Sequence, residues 1–257
     1  MNLLTQTWWM THRRLKALFR QPGVLVITLV QPAVWLFLFG ALFKRIVELP
    51  GFGAGSYLDY LIPGVVVMNA VSANMWSGMG AIDEIERGTL NRFLVAPIRR
   101  SAIVNAGVIE AAVSTIVQSL IIVVLGRLAG AQFPGGLAGV AALLAACVLL
   151  GTVFNGLSTA MGLAVRQRET IIGLSIFLLL PLTFLSTAFM AAALMPGWIR
   201  HAAAANPVNW AVEIGRTALS ASPDWAATAR FGGGLLLLAL ALVALSIRSF
   251  RGYQKSI

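Results

Sequence analysis

Residues 137–165 read LAGVAALLAACVLLGTVFNGLSTAMGLAV, and this stretch decides the fold class of the chain. It contains no charged residue, and it is longer than the roughly 20 residues that an α-helix needs to cross a bilayer. It is rich in alanine and glycine, which let helices approach closely in lipid, where packing drives association. We therefore predict a membrane-spanning helix here, with other helices close around it.

The composition extends this prediction to the whole chain. Of its 257 residues, 58% are hydrophobic and 11% are charged, and the mean hydropathy is +0.85. A soluble domain carries roughly 25% charged residues, so these charges are too few to cover a soluble protein of this size. Further apolar runs lie at 24–43, 58–80, 102–125, 171–190 and 231–247. We predict an all-α integral membrane protein with six transmembrane helices in one domain, 1–257.

Two segments outside these runs have patterns of their own. Residues 3–20 place apolar and basic residues at helical spacing and include Trp8, which is typical of an amphipathic helix in the interface of an anionic leaflet. Residues 191–228 are interrupted by prolines and contain Trp198, Trp210 and Trp225. Because tryptophan is enriched at membrane interfaces, we predict two short re-entrant helices at the outer face, with a surface loop as the alternative.

The basic residues indicate the orientation. The formal net charge is +10, and most lysines and arginines lie in the N-terminal segment, the 81–100 loop, the 166–169 turn and the C-terminal tail. Six spans place these four segments on one side, which the positive-inside rule makes cytoplasmic. We therefore expect both termini in the cytoplasm, at a bacterial inner membrane. Topology also explains the basic charge, so no nucleic-acid partner is expected.

The most charged stretch is 81–100, AIDEIERGTLNRFLVAPIRR. Three acidic residues lie in its first six positions, and an amphipathic turn with Leu90, Phe93 and Leu94 follows. Lysine and arginine set topology, whereas acidic residues contribute little to it, so topology does not explain the acids. Apolar residues at this i, i+3, i+4 spacing suit a groove on another protein. We predict that this loop docks on a cytoplasmic partner.

Two motifs of this chain resemble segments of a known family. The first is ERGTL at 86–90, followed by Arg92 and by LVAP at 94–97. The second is MPGWI at 195–199, followed by NPV at 206–208, between the predicted fifth and sixth spans. Both are similar to segments of the permeases of type-2 ABC exporters, in particular the bacterial daunorubicin-export and lipooligosaccharide-export permeases. The resemblance covers nearly the whole chain.

The resemblance implies a mechanism that needs several subunits. Two permease copies, identical or related, would form the pathway, and two copies of a separate P-loop ATPase would hydrolyse ATP with Mg²⁺. The helix at 3–20 would be the connecting helix, and 81–100 would dock on the ATPase as the coupling segment. The interface residues would be Glu84, Glu86, Arg87, Gly88, Thr89, Leu90, Arg92, Phe93 and Leu94. The substrate moved outward would be a hydrophobic drug, a lipid or a lipid-linked glycan.

The residues themselves argue against an ATPase site on this chain. A P-loop needs a Gly-x-x-x-x-Gly stretch closed by Lys and Ser or Thr. The three lysines, Lys16, Lys44 and Lys255, do not follow such a stretch. One cysteine, Cys147, provides neither an internal disulfide nor a metal site. We therefore expect this chain to bind no cofactor or metal and to be no enzyme by itself.

Polar residues inside the predicted spans are candidates for the transport pathway. Glu110 lies in the third run, where an ionisable side chain is costly. It could line a cavity, pair with a cationic substrate, or pair with an arginine near the cytoplasmic interface. Asn69 and Asn155 are milder candidates, which interhelical hydrogen bonds would explain equally well.

Two other classes of membrane protein fit the sequence less well. An intramembrane protease needs a nucleophile with its base, or metal ligands, but the two histidines, His12 and His201, lie outside the predicted spans. An ATP-independent secondary transporter or channel typically has repeated halves and charges at the midplane. We find no repeat and one plausible buried acid, Glu110. A neighbouring gene for an ATPase would favour the exporter.

Overall fold

The computed structural model describes residues 3–20, 22–48, 56–88 and 100–255, and the regular structure in these ranges is helical. The helices are α1 (Leu3–Phe19), α2 (Pro22–Val34), α3 (Tyr57–Met75), α4 (Ser77–Glu86), α5 (Arg100–Leu128), α6 (Gly136–Val165), α7 (Arg168–Phe184), α8 (Gly197–Ala205), α9 (Pro207–Leu219) and α10 (Trp225–Lys255). Short 3₁₀ turns lie at Lys44–Glu48 and Ala192–Leu194. The predicted all-α fold agrees with this architecture.

Four helical stretches are long and apolar enough to cross a membrane. They are Tyr57–Glu86, Ser101–Leu128, Gly136–Val165 and Trp225–Tyr253. The predicted first and fifth spans correspond to shorter helices, an apolar one at Val26–Leu42 and the 17 residues of α7. The architecture is that of a multi-pass membrane protein, and a count of six spans requires both shorter helices to cross as well.

Helix α6, which contains the apolar stretch 137–165, lies at the centre of the fold. It packs against α3, α4, α5, α9 and α10. Its glycines make the closest approaches possible, because a Cβ at Gly139 would lie 2.2 Å from the carbonyl oxygen of Ala218. A Cβ at Gly162 would lie 2.5 Å from the carbonyl oxygen of Gly78. These glycines therefore let the backbone of α6 pack directly against the backbone of its neighbours.

The predicted second span, 58–80, is broken in the structure. Helix α3 ends at Met75 and α4 begins at Ser77. On α6, the Ser158 hydroxyl donates to the Met75 carbonyl and accepts the backbone N–H of Gly78 at 2.9 Å. Backbone groups freed at membrane depth must find partners inside the protein, so this serine makes the break tolerable.

The first and fifth predicted spans are irregular as well. Helix α2 continues through a π-helical turn, Trp35–Phe39, just after Pro32. Proline lacks the backbone donor of a regular helix, and the ladder adjusts around it. Helix α7 ends at Phe184, three residues beyond Pro181, and not at 190 as the hydropathy predicts. Irregular backbone follows both of these prolines, Pro32 and Pro181.

Two short helices, α8 and α9, occupy the segment before the last span, and Asn206 joins them; that they re-enter the membrane stays a prediction. The Asn206 side chain accepts the backbone N–H of Val208 at 2.9 Å, which caps α9. It also donates to the carbonyls of Leu182 at 2.6 Å and Leu185 at 2.9 Å. The last helix begins at Trp225 and runs to Lys255. It is therefore longer than the predicted span, 231–247.

Candidate functional site

Arg14 of α1 points into the protein and joins three helices. Its guanidinium donates to Glu84 on α4 at 2.9 Å and to Glu110 on α5 at 3.0 Å. Each of these three side chains is less than one-third exposed. The helical pattern of 3–20 groups Arg14 with the other basic residues, but two carboxylates compensate its charge inside the fold. An arginine partner was one of the three roles considered for Glu110.

Arg168, the first residue of α7, holds the other side of α4. It donates to the two carboxylate oxygens of Glu86, at 3.2 and 2.6 Å, and also to Asp83. Such a two-pronged contact fixes direction as well as distance. The Arg168 and Glu86 side chains are 40% and 54% exposed, so this contact lies at the surface of the fold.

Because of these contacts, the three acidic residues of the 81–100 segment have partners within the chain. The sequence pattern assigned the acids to an external partner and missed Arg14 and Arg168. The residues of the two contacts lie 70 and 82 positions apart, beyond the reach of any local pattern. The Glu86 side chain nevertheless remains 54% exposed, so it is still open to a second protein.

Helix α4 ends within the ERGTL motif, where the backbone of Gly88 is in the left-handed conformation. Gly88 has a φ of +66°, which glycine adopts without strain and which ends many helices. Its amide donates to the carbonyl of Ile85 at 2.9 Å. Glu86 and Arg87 are exposed at this end. The other predicted interface residues, Thr89, Leu90, Arg92, Phe93 and Leu94, lie outside the described residues.

The four segments predicted to be cytoplasmic meet at one end of the fold, which we call the charged end: α1, the end of α4, the 166–169 turn and the end of α10. The ion pairs of Arg14 and Arg168 connect the first three. Arg166 lies 4.6 Å from the ring of Tyr253 on α10, and Met10 shares a small buried cluster with Tyr253. The N-terminal helix and the end of α10 thus lie at the same end of the fold.

A cavity of about 360 Å³ lies beside Arg14, with walls from α1, α3, α4, α5, α6 and α10. Ligand pockets have volumes of about 300–1,000 Å³. Glu84, Glu110 and Asn155 contribute to its polar lining, and Trp76, at the break between α3 and α4, to its apolar lining. The cavity can therefore take a molecule with one polar and one apolar part. Two of the three candidate pathway residues, Glu110 and Asn155, meet there.

Asn69 lies apart from this cavity. It is 8% exposed, and its amide donates to Gln118 on α5 at 3.0 Å. Gln118 in turn donates to Ser114 at 2.9 Å. The structure therefore places Asn69 in a chain of hydrogen bonds that joins α3 to α5.

A second polar cluster lies at the opposite end of the second span. Arg216 of α9, 15% exposed, donates to the Thr187 hydroxyl at 2.8 Å and to the backbone carbonyls of Thr187 and Ala188. Its guanidinium lies 3.6 Å from the ring centre of Tyr60. The Tyr60 hydroxyl also donates to the Thr187 carbonyl, at 2.8 Å. This arginine fixes the backbone that follows α7.

We call this group the Arg216 cluster; its members are Tyr60, Thr187, Asn209, Glu213 and Arg216. Asn209 accepts the backbone N–H of Thr187 at 2.9 Å, and Glu213 lies 3.5 Å from Arg216. Sequence analysis missed the cluster, because charges in a proline-rich segment equally suit a surface loop. A usable signal was Pro181 itself, because a proline inside a span frees a backbone carbonyl that needs a donor at membrane depth.

The Glu110→Gln variant tests the role of the Arg14 contact. Glutamine keeps the shape but removes the charge, so α1 should dock less firmly. For an ion pair of this exposure, worth about 0.5–1 kcal/mol, we expect trypsin to cleave within α1 about 2- to 5-fold faster. Glu169→Gln, an exposed acid at the start of α7, is the control and should cleave at the wild-type rate. Full transport activity of Glu110→Gln would restrict Glu110 to this structural role.

Comparisons with known proteins agree with the motifs. Residues 5–219 match the model of the family described as ABC-2 type transporter. A daunorubicin resistance ABC transporter permease of Streptomyces coeruleorubidus is 27% identical over 217 residues, which cover 83% of this chain and 73% of that protein. A putative transport permease of Cyanophora paradoxa is 30% identical over 198 residues, covering 76% and 67%. A probable doxorubicin resistance permease of Mycobacterium tuberculosis is 22% identical over 209 residues, covering 81% and 75%. The resemblance is confirmed: this chain belongs to the ABC-2 type transporter permeases.

Proposed function

We propose that this chain is the membrane-spanning subunit of an exporter that moves a hydrophobic, drug-like substrate outward, with ATP hydrolysed by a separate P-loop subunit. Two copies of the ATPase, which bind ATP and Mg²⁺, and a second permease copy, identical or related, complete the complex. The chain itself acts as a transport subunit and not as an enzyme. One observation carries the proposal: in a chain of the ABC-2 family, helix α4, which continues the second apolar run, ends on the exposed motif residues Glu86 and Arg87.

The charged end faces the cytoplasm in this proposal. The basic residues of α1, the 166–169 turn and the tail gather there, as the positive-inside rule requires. Both termini are then cytoplasmic, six spans cross the bacterial inner membrane, and α8 and α9 dip into the outer leaflet. The exposed side chains of Trp8 and Trp9, 64% and 59% accessible, suit an α1 that rests in the inner interface.

An amphiphile is the substrate class that the cavity favours. Its lining combines charged side chains, Glu84, Glu110 and Arg14, with apolar ones such as Trp76. Arg13 and Arg14 pair with the two carboxylates, so the lining carries no excess of either charge. The names of two relatives, which refer to daunorubicin and doxorubicin resistance, support a drug-like molecule. A lipid or a lipid-linked glycan is the alternative that the family resemblance allows.

Affinity purification of the chain in mild detergent tests the proposal directly. We expect a P-loop ATPase to co-purify and its activity to depend on the 81–100 segment. A chain that purifies alone, carries no ATPase and transports by itself would instead be a secondary transporter or a channel.

Charge reversal in the variant Glu86→Arg tests the docking site. The added positive charge replaces an exposed acid of the motif, so we expect several-fold less ATPase to co-purify and its stimulation to be lost. The variant also breaks the contact with Arg168, and Glu86→Arg with Arg168→Glu restores that contact without restoring the acid. The double variant should therefore remain deficient. Wild-type co-purification and ATPase stimulation in Glu86→Arg would remove Glu86 from the interface.

A further inference from the structure

Helix α7 contacts the second span at the charged end through its first residue. Arg168 donates to both carboxylate oxygens of Glu86, at 3.2 and 2.6 Å, and to Asp83. Glu86 and Asp83 lie on the last turn of α4, and Glu86 is one of the residues of the 81–100 segment proposed to meet the ATPase. The first turn of α7 is thus held to the last helical turn of α4.

The same two spans also meet at the break in the second span. The Ser175 hydroxyl of α7 lies 3.4 Å from the Met75 carbonyl, which Ser158 of α6 also contacts. Ser175 is buried, with no exposed area. Helix α7 therefore also lies against the break between α3 and α4.

A third contact lies at the far end, in the Arg216 cluster. The Tyr60 hydroxyl, in the first turn of α3, donates to the Thr187 carbonyl at 2.8 Å, three residues after α7 ends. Arg216 lies over the Tyr60 ring and donates to the Thr187 hydroxyl. Polar contacts thus join the second span to the first residue of α7 at one end and to the residues after α7 at the other.

The rest of α7 has few buried residues. Ile171, Ser175 and Thr183 are its buried side chains, whereas Phe177, Leu180 and Phe184 are at least half exposed. Helix α7 is about 25 Å long, at about 1.5 Å per residue. With so few buried side chains, it can move as a rigid unit together with the groups that its ends contact. Its movement is then set by what holds its ends.

We propose that Arg168 is a positioning residue that passes the movement of the coupling segment to the fifth span. The inference rests on the proposed function, because it takes the ATPase as the source of the movement. When the end of α4 shifts, the two-pronged contact draws α7 with it, and α7 acts on the Arg216 cluster at the opposite face. Its partners in this role are Asp83 and Glu86.

A fluorescent reporter on α7 tests the proposal in the assembled complex. The reporter is bimane attached to Phe177→Cys, an exposed position, in a Cys147→Ser background. Trapping the ATPase with ATP and vanadate is expected to shift the bimane emission in the otherwise wild-type chain. In Arg168→Gln this shift is expected to be lost, and in Arg168→Lys, which keeps the charge but not the planar fork, to be reduced.

Two further variants separate coupling from general damage. Glu169→Gln, the exposed neighbour, should retain the full shift. Asp83→Asn leaves the two-pronged contact with Glu86 in place and should retain most of the shift that Arg168→Gln loses. An equal shift in Arg168→Gln and wild type, or no shift in wild type on trapping, would overturn the proposal.

Failure of the proposed function is recognised separately, by the absence of a co-purifying ATPase. Hydrogen exchange of the purified chain then decides the link itself. We expect Arg168→Gln to raise amide exchange in α4 and in the first turns of α7 together, by several-fold. Unchanged exchange in these two segments would show that Arg168 does not hold them and would dismiss the inference.

Discussion

Arg216→Met is expected to lower the free energy of unfolding by about 3–5 kcal/mol, the usual cost of removing one partner from a buried charged group. Arg216 donates to the backbone carbonyls of Thr187 and Ala188. Methionine fills a similar volume but donates nothing, and hydrocarbon offers no water to replace the lost donor. The backbone after α7 is then left with buried, unpaired oxygens.

Unfolding by sodium dodecyl sulphate in mixed micelles, followed by tryptophan fluorescence, measures this loss. Arg200→Met is the matched control, because Arg200 lies on α8 in the same outer segment but is exposed. Its effect should stay within about 0.5 kcal/mol. Arg216→Lys should fall between wild type and Arg216→Met, since lysine retains the charge without the fork. Equal losses at Arg216 and Arg200 would show that the cluster contributes no stability of its own.

Gly78→Ala is expected to destabilise the protein by about 1–3 kcal/mol, the cost of forcing a methyl group into a filled contact. A Cβ on Gly78 would lie 2.2 Å from the carbonyl oxygen of Ser158, which is backbone and cannot rotate away. The two helices would have to separate, and the Ser158 hydroxyl would then lose its contacts with Met75 and the Gly78 amide.

Gly80→Ala is the matched control for this prediction, two residues along the same helix. Its Cβ would meet nothing within 4 Å, so the higher helix propensity of alanine should stabilise α4 by about 0.5–1 kcal/mol. The same detergent titration measures both variants. Opposite signs at the two glycines are expected, and a stabilised Gly78→Ala would contradict the close crossing of α4 and α6.

The helices were predictable to within a few residues where the apolar runs are long and uninterrupted. The run 137–165 became α6, and the run 102–125 became α5 with one further turn or less at each end. The prediction was wrong where a stretch is apolar but its backbone is not helical. The run 171–190 is apolar throughout, but its helix stops at Phe184, because Pro181 disrupts the ladder and Asn206 satisfies the freed carbonyls.

The candidate site was only partly predictable. Acids in the 81–100 segment and Glu110 in a span were conspicuous, since charges are rare in this chain. Their partners were not, because the Arg14–Glu110 contact joins residues 96 positions apart. The missing partner of a buried acid can be anticipated from its cost in lipid, but which arginine supplies it depends on how the helices assemble.

By itself, the sequence determined that this protein is helical and lies in a membrane, because hydropathy and small-residue content act locally along each helix. It also carried the motifs of the ABC-2 family. The tertiary structure alone decided that the second span breaks at Trp76, that Arg14 and Arg168 hold the two sides of α4, and that Arg216 turns inward. Each of these depends on groups from distant helices meeting. At the break and at Arg216 the physical reason is that a freed backbone group or a charge away from water must find a partner inside the protein.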